Sequence, residues 1–435
     1  MTKKIFITFT ITFVVVFFGS FFLLRYIHLK DKDPKPEDPG NNTKEKFDFY
    51  DFDFKIIKNV SDDYPNKNVL VSPLSIGYAL SMLNEGAQEN TKAQISSLLG
   101  NYKIEDTNNV ENHISIANGL FIKDVYKDTI KDEFTNVVKN KYSADVIYDE
   151  FKSPDVINNW ISNKTYNMID KVIEDISSDF VLAIANAIAI DVEWANKFEC
   201  ERTKEEDFTL STGEKMKTAM MHSSDDVLYI KTNKAQGIIK SYKTYDGNEL
   251  QYIAILPNGN INQYLYEFNE DELSDLLNSA ILPSKEVTIN YSLPKYTYDF
   301  DFDNFQNALQ SLGMTDAFDS QKANFDNITN DIYVSKAIHK AHIELSENGT
   351  KAAAVTVFMM DKNSAEPIQK RVINVVFDKP FIYLIKDKSS NNIWFFGTVN
   401  EPLKFEDHKC ETKDESLNTV EDNDEDTLNN DTISE

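Results

Sequence analysis

The sequence predicts an α+β fold, in which helices pack on large mixed or antiparallel sheets. Helical patterns dominate the first part of the chain and strand patterns dominate the second, whereas a repeated βαβ fold would alternate them. No internal repeat or long linker interrupts residues 47–405, so we expect a single domain there. Hydrophobic residues make up 41% of the 435 residues, with 29 Phe and 20 Tyr, which is enough to form one large core.

A serine followed by a proline marks the start of two predicted helices, at Ser72 and at Ser153. The serine side chain caps free N–H groups of the first turn, and proline fits that turn without loss of a hydrogen bond. Apolar residues follow at helical spacing, as far as Gly86 after the first start and as far as Ile169 after the second. Both segments therefore predict helices with one buried face.

Seven segments rich in β-branched and aromatic residues predict strands. All of them follow the two predicted helices, so we expect the strands to form sheets on which the helices pack. The predicted strands are residues 180–194, 252–256, 286–293, 332–345, 372–377, 381–385 and 392–399.

The charge balance argues against nucleic acid as a partner. The chain has 45 Lys and Arg against 71 Asp and Glu, a formal net charge of −26, whereas phosphate binding needs clustered cations. The chain has two cysteines, Cys200 and Cys410, and Cys410 lies in a polar tail. We therefore expect neither a disulfide framework nor a Cys-rich zinc site, and stability that comes from packing.

Both ends of the chain differ in composition from the domain. Residues 5–24, IFITFTITFVVVFFGSFFLL, are long enough to span a bilayer, so residues 1–30 are interpreted as an uncleaved membrane anchor or, alternatively, a cleaved signal peptide. Either interpretation predicts an extracellular or cell-surface domain. Residues 31–46 predict a Pro-rich polar tether, and residues 406–435 predict an acidic disordered tail.

Signatures of common enzyme classes are missing from the sequence. It contains no glycine-rich phosphate loop, no Gly-x-Ser-x-Gly elbow and no His-Glu-x-x-His pair. His339 and His342 are close in sequence, but their odd spacing places them on opposite faces of a strand, which argues against a shared metal. We therefore expect no enzyme, no metal site and no cofactor.

Residues 347–364, ENGTKAAAVTVFMMDKNS, combine a strand pattern with the composition of an exposed loop. At period two, one face carries the small uncharged residues Thr350, Ala352, Ala354 and Thr356, whereas Lys351 begins the other face. No proline interrupts the segment, so every backbone N–H is able to join a sheet. Taken alone, the pattern also fits an ordinary strand followed by a loop.

The segment SENGTKAAAVTVFMM, residues 346–360, resembles the hinge and reactive loop of the serpins, a family of protease inhibitors. In that family a glutamate, a Gly-Thr pair and a run of alanines precede the bait bond. Other motifs resemble the family in the same order along the chain. They are VSPLSIGYALSMLNEGAQENTKAQI at 71–95, IANGLFI at 116–122, ANAIAIDVEW at 185–194, AIHKAHIELSENGT at 337–350, DKPFIYLI at 378–385 and FFGTVNEP at 395–402.

The resemblance implies a serpin-like single domain with an exposed reactive loop at about residues 347–371. It also implies an irreversible suicide-substrate inhibitor. A serine or cysteine protease cleaves the loop and forms an acyl-enzyme, and the freed strand then inserts into the central sheet. The expected partner is that protease, bound covalently to a monomer. The alternative is a non-inhibitory serpin that acts as a carrier, chaperone or receptor-binding protein, but an entering face without charge or proline favours the inhibitor.

The resemblance also implies roles for individual residues. Ser72, Ser75, Asn186 and His339 match the polar cluster beneath the strands that must part, which is called the shutter. Trp194 matches the tryptophan at the breach, where the loop first enters the sheet. The hinge residues implied in the same way are Glu347, Gly349, Thr350, Ala352, Ala353, Ala354 and Thr356.

The position of the bait bond is left with alternatives. The family's usual spacing from the hinge places the bond between Asn363 and Ser364, which suits an asparagine-selective cysteine protease. A loop shorter by one residue places it between Lys362 and Asn363, which suits a trypsin-like enzyme whose pocket carries an anion. Met359 and Met360 offer a third site, for enzymes that prefer apolar residues.

Two departures from the family pattern concern the loop. Residues 364–380 form a longer stretch than in many relatives, and Lys370-Arg371 within it is a further basic site. Asn348-Gly349-Thr350 is an N-glycosylation acceptor, and a glycan at the hinge would obstruct insertion. Inhibition therefore implies that this acceptor is not used.

Overall fold

The structure is a computed structural model that describes residues 47–104, 108–350, 371–388, 390 and 392–409. Its helices and its sheets of antiparallel and mixed strands confirm the predicted α+β class. The described residues form eight α-helices, which in chain order are α1 (Asp51–Asp63), α2 (Pro73–Gly86), α3 (Glu89–Leu99), α4 (Asp132–Tyr142), α5 (Asp155–Lys164), α6 (Ile261–Glu267), α7 (Glu270–Asn278) and α8 (Phe305–Ser311). Short 3-10 helices lie at Asp124–Tyr126, Cys200–Arg202, Asp316–Phe318 and Phe405–Asp407.

Strands make up most of the remaining ordered elements. In chain order they are β1 (Val69–Val71), β2 (Ile114–Lys123), β3 (Asp145–Asp149), β4 (Leu182–Ile190), β5 (Val192–Glu193), β6 (Lys204–Thr209), β7 (Lys215–Ser224), β8 (Leu228–Lys231), β9 (Ala235–Ser241), β10 (Leu250–Pro257), β11 (Val287–Pro294), β12 (Tyr296–Asp301), β13 (Lys340–Leu345), β14 (Gly349–Thr350), β15 (Arg371–Val376), β16 (Phe381–Asp387) and β17 (Ile393–Val399).

These strands form three bodies of sheet. Six strands make an antiparallel sheet in the order β1-β17-β16-β10-β9-β8, and four make a mixed sheet in the order β15-β11-β7-β6. The third body, here called the central sheet, has two parts, β3-β2-β4 and β12-β13-β14-β5. Because β5 follows β4 after the single residue Asp191, the two parts share one nearly continuous strand.

The six-stranded sheet contains the most deeply buried strands. Every residue of β16 and β17 is buried, because the sheet is covered on both faces. The predicted strands at 381–385 and 392–399 are therefore confirmed, and their continuous apolar runs have a physical reason. Helix α2 packs against β17 and also against β4, so it connects this sheet with the central sheet.

The start of α2 has the predicted geometry. Ser72 is the N-cap, its side chain accepts a hydrogen bond from the backbone N–H of Ser75, and Pro73 occupies the first turn. The helix ends at Gly86, as expected. This cap places Ser72 at the base of the central sheet, where it has further partners described below.

Several predicted boundaries were wrong. The predicted strand at 332–345 is a strand only over β13, because residues 332–339 have no ladder partner among the described strands. Helix α5 ends at Lys164 and does not extend to Ile169, since Tyr166 and Asn167 have positive φ angles of 52° and 59°. The first residues of the predicted disordered tail are placed against the domain, where Phe405–Asp407 form a 3-10 helix.

Among the described residues, none of the helices has the length and apolar character needed to cross a membrane. The predicted anchor at 5–24, the tether at 31–46 and the tail from 410 onward lie outside the described residues.

Candidate functional site: the hinge and the gap in the central sheet

Strands β4 and β13 of the central sheet are not joined by a ladder within the described part of the chain. A narrow gap with a volume of about 20 Å³ lies between them. It is lined by residues 188–190, residues 342–344 and Thr350, with Ile385 and Phe395 from the neighbouring sheet and Thr165, Met168 and Ile169 from the region after α5. A volume of this size holds about one water molecule, so an extended segment would enter between β4 and β13 only if the two strands moved apart.

The first hinge residues lie at the upper end of this gap. Strand β14, Gly349–Thr350, pairs with β5 on one side, through Gly349 to Glu193 and Thr350 to Val192. On its other side Thr350 pairs with Leu345 of β13. The chain that leaves Thr350 therefore starts from a position between the two strands that border the gap.

Gly349 fits this position because it has no Cβ. Its φ angle is 154°, and a Cβ added there would lie 2.2 Å from the carbonyl oxygen of Val192 and 2.7 Å from the Cα of Glu193. Both atoms belong to the backbone, so neither is able to move aside cheaply. The close approach of β14 to β5 therefore requires glycine.

A buried aromatic pair contacts Thr350. The Tyr242 hydroxyl lies 2.8 Å from Oγ1 of Thr350, and the Tyr242 ring stacks on Trp194 with a centroid distance of 4.4 Å. Burial raises the pKa of Tyr242, so its hydroxyl stays protonated and can hydrogen-bond Thr350. Trp194 is fully buried and donates from Nε1 to the Ser346 carbonyl at 3.0 Å, while its backbone N–H donates to Asn348. Trp194, the predicted breach tryptophan, therefore contacts Ser346 and Asn348 beside the predicted hinge residues.

Glu347 is the charged centre of the hinge. Its carboxylate lies 2.7 Å from Nζ of Lys295, and both side chains are nearly buried. The other carboxylate oxygen accepts a hydrogen bond from Oγ1 of Thr203 at 2.7 Å. The Glu347 carbonyl accepts from the backbone N–H of Phe198. Backbone and side chain of Glu347 are therefore both held when the hinge is in this position.

A second cation lies beneath Trp194. Lys240 is 1% exposed; its Nζ pairs with Asp226, donates to the Tyr291 hydroxyl at 2.9 Å and lies 5.4 Å from the centre of the Trp194 ring. Burial lowers the pKa of Lys240, against the effect of Asp226. Sequence analysis missed this group because its partners are far apart in the chain.

The predicted shutter residues are partly brought together. Ser72 donates from Oγ to the Trp394 carbonyl at 2.7 Å, and its backbone N–H donates to Nε2 of His339 at 3.2 Å. The acceptor role of Nε2 requires a neutral His339. Burial keeps His339 neutral near pH 7, because desolvation lowers its pKa to about 4. Ser72, Ser75 and His339 therefore form one hydrogen-bonded group at the start of α2.

Asn186 is not joined to that group through its side chain. The Ser75 hydroxyl reaches only the Asn186 carbonyl, at 3.5 Å, whereas the Asn186 amide donates to Asn118 at 2.8 Å. Oδ1 of Asn186 is buried and has no hydrogen-bond partner among the described residues. Asn118, which sequence analysis did not select, connects onward to the Tyr142 carbonyl at the end of α4.

Cys200 and His408 approach Glu347 from outside the hinge. Cys200 is disulfide-bonded, which sequence analysis did not expect, and its Sγ lies 3.7 Å from Oε1 of Glu347. Nε2 of His408 lies 3.9 Å from the same sulfur. Cys200, Glu347 and His408 have the spacing of metal ligands, but a disulfide sulfur offers no thiolate, so the group does not fit a metal. The sequence offered no signal for these contacts, since Cys200, Glu347 and His408 are far apart in the chain.

The remaining predicted site residues lie outside the described residues. They are the hinge residues Ala352, Ala353, Ala354 and Thr356 and the bait-bond candidates Lys362, Asn363 and Ser364, together with Met359 and Met360. His339 and His342 do not share a site, since His342 pairs with Asp299 at 2.7 Å.

The short strand β14 lies between β5 and β13, and no ladder joins β4 to β13 among the described residues, which fits the architecture of a serpin. The chain belongs to this family, because the serpin (serine protease inhibitor) family matches residues 49–402. Among relatives, it is 30% identical to alpha-1-antiproteinase 2 from the horse, Equus caballus, over 81% of this chain and 86% of the relative.

Solved structures give the same result. The native state of tengpin, a thermophilic serpin, matches with a TM-score of 0.70 and 31% identity, covering 82% of this chain and 96% of tengpin. Human thyroxine-binding globulin complexed with thyroxine matches with a TM-score of 0.68 and 23% identity, covering 82% and 97%, which shows the fold alone. Serpins are generally protease inhibitors and not catalytic enzymes, and proteases are their usual targets.

Proposed function

We propose that this protein is an irreversible suicide-substrate inhibitor of proteases that traps the acyl-enzyme by loop insertion. The observation that carries the proposal is the position of Gly349 and Thr350, paired with β5 and β13 at one end of the narrow gap. Residues 351–356 follow directly in the sequence. Their sequence offers small uncharged side chains on alternate positions, which suits the buried face of a new strand.

The proposed reaction has two parts, an attack by the protease on the loop and the insertion of the freed loop as a strand. The protease nucleophile attacks the bait carbonyl, the peptide C–N bond breaks, and the amine end leaves with the proton taken from the nucleophile. An ester or thioester then joins the loop to the protease. Inserting the freed segment between β4 and β13 moves the attached protease on the order of 50 Å for about 15 residues. Distortion of the protease during this movement prevents hydrolysis of the acyl bond.

We propose Asn363–Ser364 as the bait bond, with Lys362–Asn363 as the alternative. The two bonds separate target classes, because asparagine suits an asparagine-selective cysteine protease and lysine suits a trypsin-like serine protease. Sequencing the new amino terminus of the peptide released from a trapped complex identifies the bond. A cut after Met359 or Met360 would reassign the target to a protease that prefers apolar residues.

The test of function is an SDS-stable covalent complex. Incubation with a trypsin-like protease and with an asparagine-selective protease should give, on reducing SDS gels, a covalent band heavier than either protein. The band should be lost on hydroxylamine treatment, which cleaves esters and thioesters. Thr350→Arg should abolish the band and leave clean cleavage, because Thr350 is 4% exposed between two strands and a charge there has no partner. Lys351→Glu is the matched control, since alternation places that residue on the opposite face.

Cleavage without a complex, by every protease that cuts the loop, would contradict the inhibitor function. The protein would then be a non-inhibitory serpin that acts as a carrier, chaperone or receptor-binding protein. A Thr350→Arg variant that traps as well as the wild type would contradict the insertion step alone.

We further propose that the domain is exported and held at the membrane by residues 5–24. Serpins are commonly secreted, and the apolar length of this segment suits a bilayer span. Mass spectrometry of the mature amino terminus tests the anchor. A mature chain that begins after residue 24 would mean that the segment is a signal peptide and that the protein is released.

A further inference from the structure

We propose that the disulfide of Cys200 joins it to Cys410 and locks the C-terminal segment, residues 403–409, over Glu347, so that a dithiol reductant controls release of the hinge. This disulfide-fixed segment is here called the latch. The proposal concerns regulation of the hinge, and it rests on the proposed function for its biological meaning. The C-terminal segment lies beyond the family match, which ends at residue 402.

The described part of the C-terminal segment is attached to the domain near the breach. The backbone N–H of Leu403 donates to the Lys295 carbonyl at 2.9 Å, and the Leu403 carbonyl accepts from Oγ1 of Thr218 in β7 at 2.7 Å. Lys404 forms an isolated β-bridge with Thr218. These contacts direct the chain across β7 toward the Glu347–Lys295 ion pair.

The end of the segment covers that ion pair. Nδ1 of His408 lies 3.3 Å from Nζ of Lys295 and 3.8 Å from Oε1 of Glu347. The carbonyl of Lys409 lies 3.5 Å from Nζ of Lys295. The His408 side chain is 10% exposed, so it is packed against the pair and shields it from water. Movement of Glu347 with an inserting hinge must break these contacts.

The partner of Cys200 follows from composition and position. Cys200 is disulfide-bonded, and the chain contains one other cysteine, Cys410. Cys410 is the next residue after Lys409, and the Cys200 sulfur is already 3.9 Å from His408. The bond would fix the segment at its far end, while the Leu403 contacts fix its near end.

Reduction would release the far end. One thiolate of an external dithiol attacks a sulfur of the bond, giving a mixed disulfide and one protein thiolate. The second thiol of the dithiol then resolves the mixed disulfide, so the protein gains two thiols and the reductant becomes a disulfide. Loss of the covalent tie leaves the His408 contacts to compete with solvent, and the hinge then opens more often.

Peptide mapping and hydrogen exchange of the full chain test the proposal. Mapping without reductant should yield one disulfide-linked peptide pair that contains Cys200 and Cys410. Exchange at the backbone amides of 345–350 should be faster on the order of tenfold after reduction with dithiothreitol, and equally fast in Cys410→Ser without reductant. Cys200→Ser/Cys410→Ser is the control, in which dithiothreitol should change nothing.

Two results would overturn the latch: alkylation of both cysteines without prior reduction, or hinge exchange that is the same in oxidised and reduced protein. The reduced wild type keeps its sequence, so the comparison does not depend on whether a variant folds. Exchange that depends on reduction in a protein that traps no protease would leave the latch intact and remove the inhibitor function. Equal exchange in a protein that traps proteases would do the reverse.

Discussion

The hydroxyl of Tyr242 lies 2.8 Å from Oγ1 of Thr350, and both side chains are buried at the end of the gap in the central sheet. The Tyr242 ring also stacks on Trp194, so one tyrosine joins the breach tryptophan to the first hinge strand. Thr350 is the residue from which the proposed insertion of the loop would start, so the Tyr242–Thr350 contact lies at the starting point of that movement.

Tyr242→Phe tests the contact. It removes the hydroxyl and leaves the buried Oγ1 of Thr350 without this partner, which costs about 1 to 3 kcal/mol. We expect lower stability in urea unfolding with stacking on Trp194 kept. Thr350→Val together with Tyr242→Phe removes both hydroxyls, and the double variant should recover part of the loss. Strictly additive losses would mean that the two hydroxyls do not interact.

Gly349→Ala tests the close approach of β14 to β5. The added Cβ would lie 2.2 Å from the Val192 carbonyl oxygen, so we expect β14 to leave β5 and its amides to exchange faster. Gly313→Ala is the matched control, because Gly313 has a φ of 101° but nothing within 4 Å of its Cβ position. Both substitutions add a backbone strain of about 1 to 3 kcal/mol. Only Gly349→Ala should change hydrogen exchange at the hinge amides.

Lys295→Met tests the ion pair at the hinge. Glu347 would keep Thr203 but lose its nearly buried cation, and breaking a buried pair costs about 3 to 5 kcal/mol. We expect faster conversion at 37 °C to an inserted, inactive form, followed on native gels. Lys388→Met removes an exposed partner of Glu249, where the pair distance is also 2.7 Å, and should cost at most about 1 kcal/mol. Equal effects of the two substitutions would contradict a special role for Lys295.

We expect the buried His339 to make the protein less stable in acid. Burial holds its pKa at about 4, below the ordinary 6.5, so between these values the unfolded chain binds a proton that the folded chain does not. The contribution of neutral His339 to the free energy of unfolding is therefore fully present above pH 6.5. It decreases as the pH drops toward 4, by about 3 kcal/mol in total. His339→Gln keeps an acceptor for Ser72 but lacks this titration. Urea midpoints that fall equally in both proteins would show that other groups cause the acid loss.

Local sequence signals predicted the elements that depend on local chemistry. Ser72 and Pro73 define the start of α2 through capping geometry, and the continuous apolar runs of β16 and β17 mark strands buried on both faces. The sequence pattern also drew attention to Gly349 and Thr350, because glycine and small residues are visible in the sequence. Residues 332–339 were assigned to a strand in error, since their apolar pattern is similar to that of β13 but they lack a partner.

Contacts between distant residues could not be predicted in the same way. The partners of Glu347 are Thr203 and Lys295, and Cys200 and His408 lie against it as well. None of these residues is near Glu347 in sequence, and each is an ordinary polar residue in its own neighbourhood. These residues come together only in the folded chain, so a local sequence pattern could not identify them as neighbours of Glu347.

The most direct test of the account is the melting temperature of the domain before and after a single cut in the loop at residues 359–364. Insertion of the cleaved loop into the gap adds a paired strand, so the melting temperature should rise by at least about 5 °C. Thr350→Arg, cut in the same way, should show little or no rise. An unchanged or lower melting temperature in the cut wild type would mean that the intact protein stores no free energy for trapping, and it would contradict the proposed mechanism.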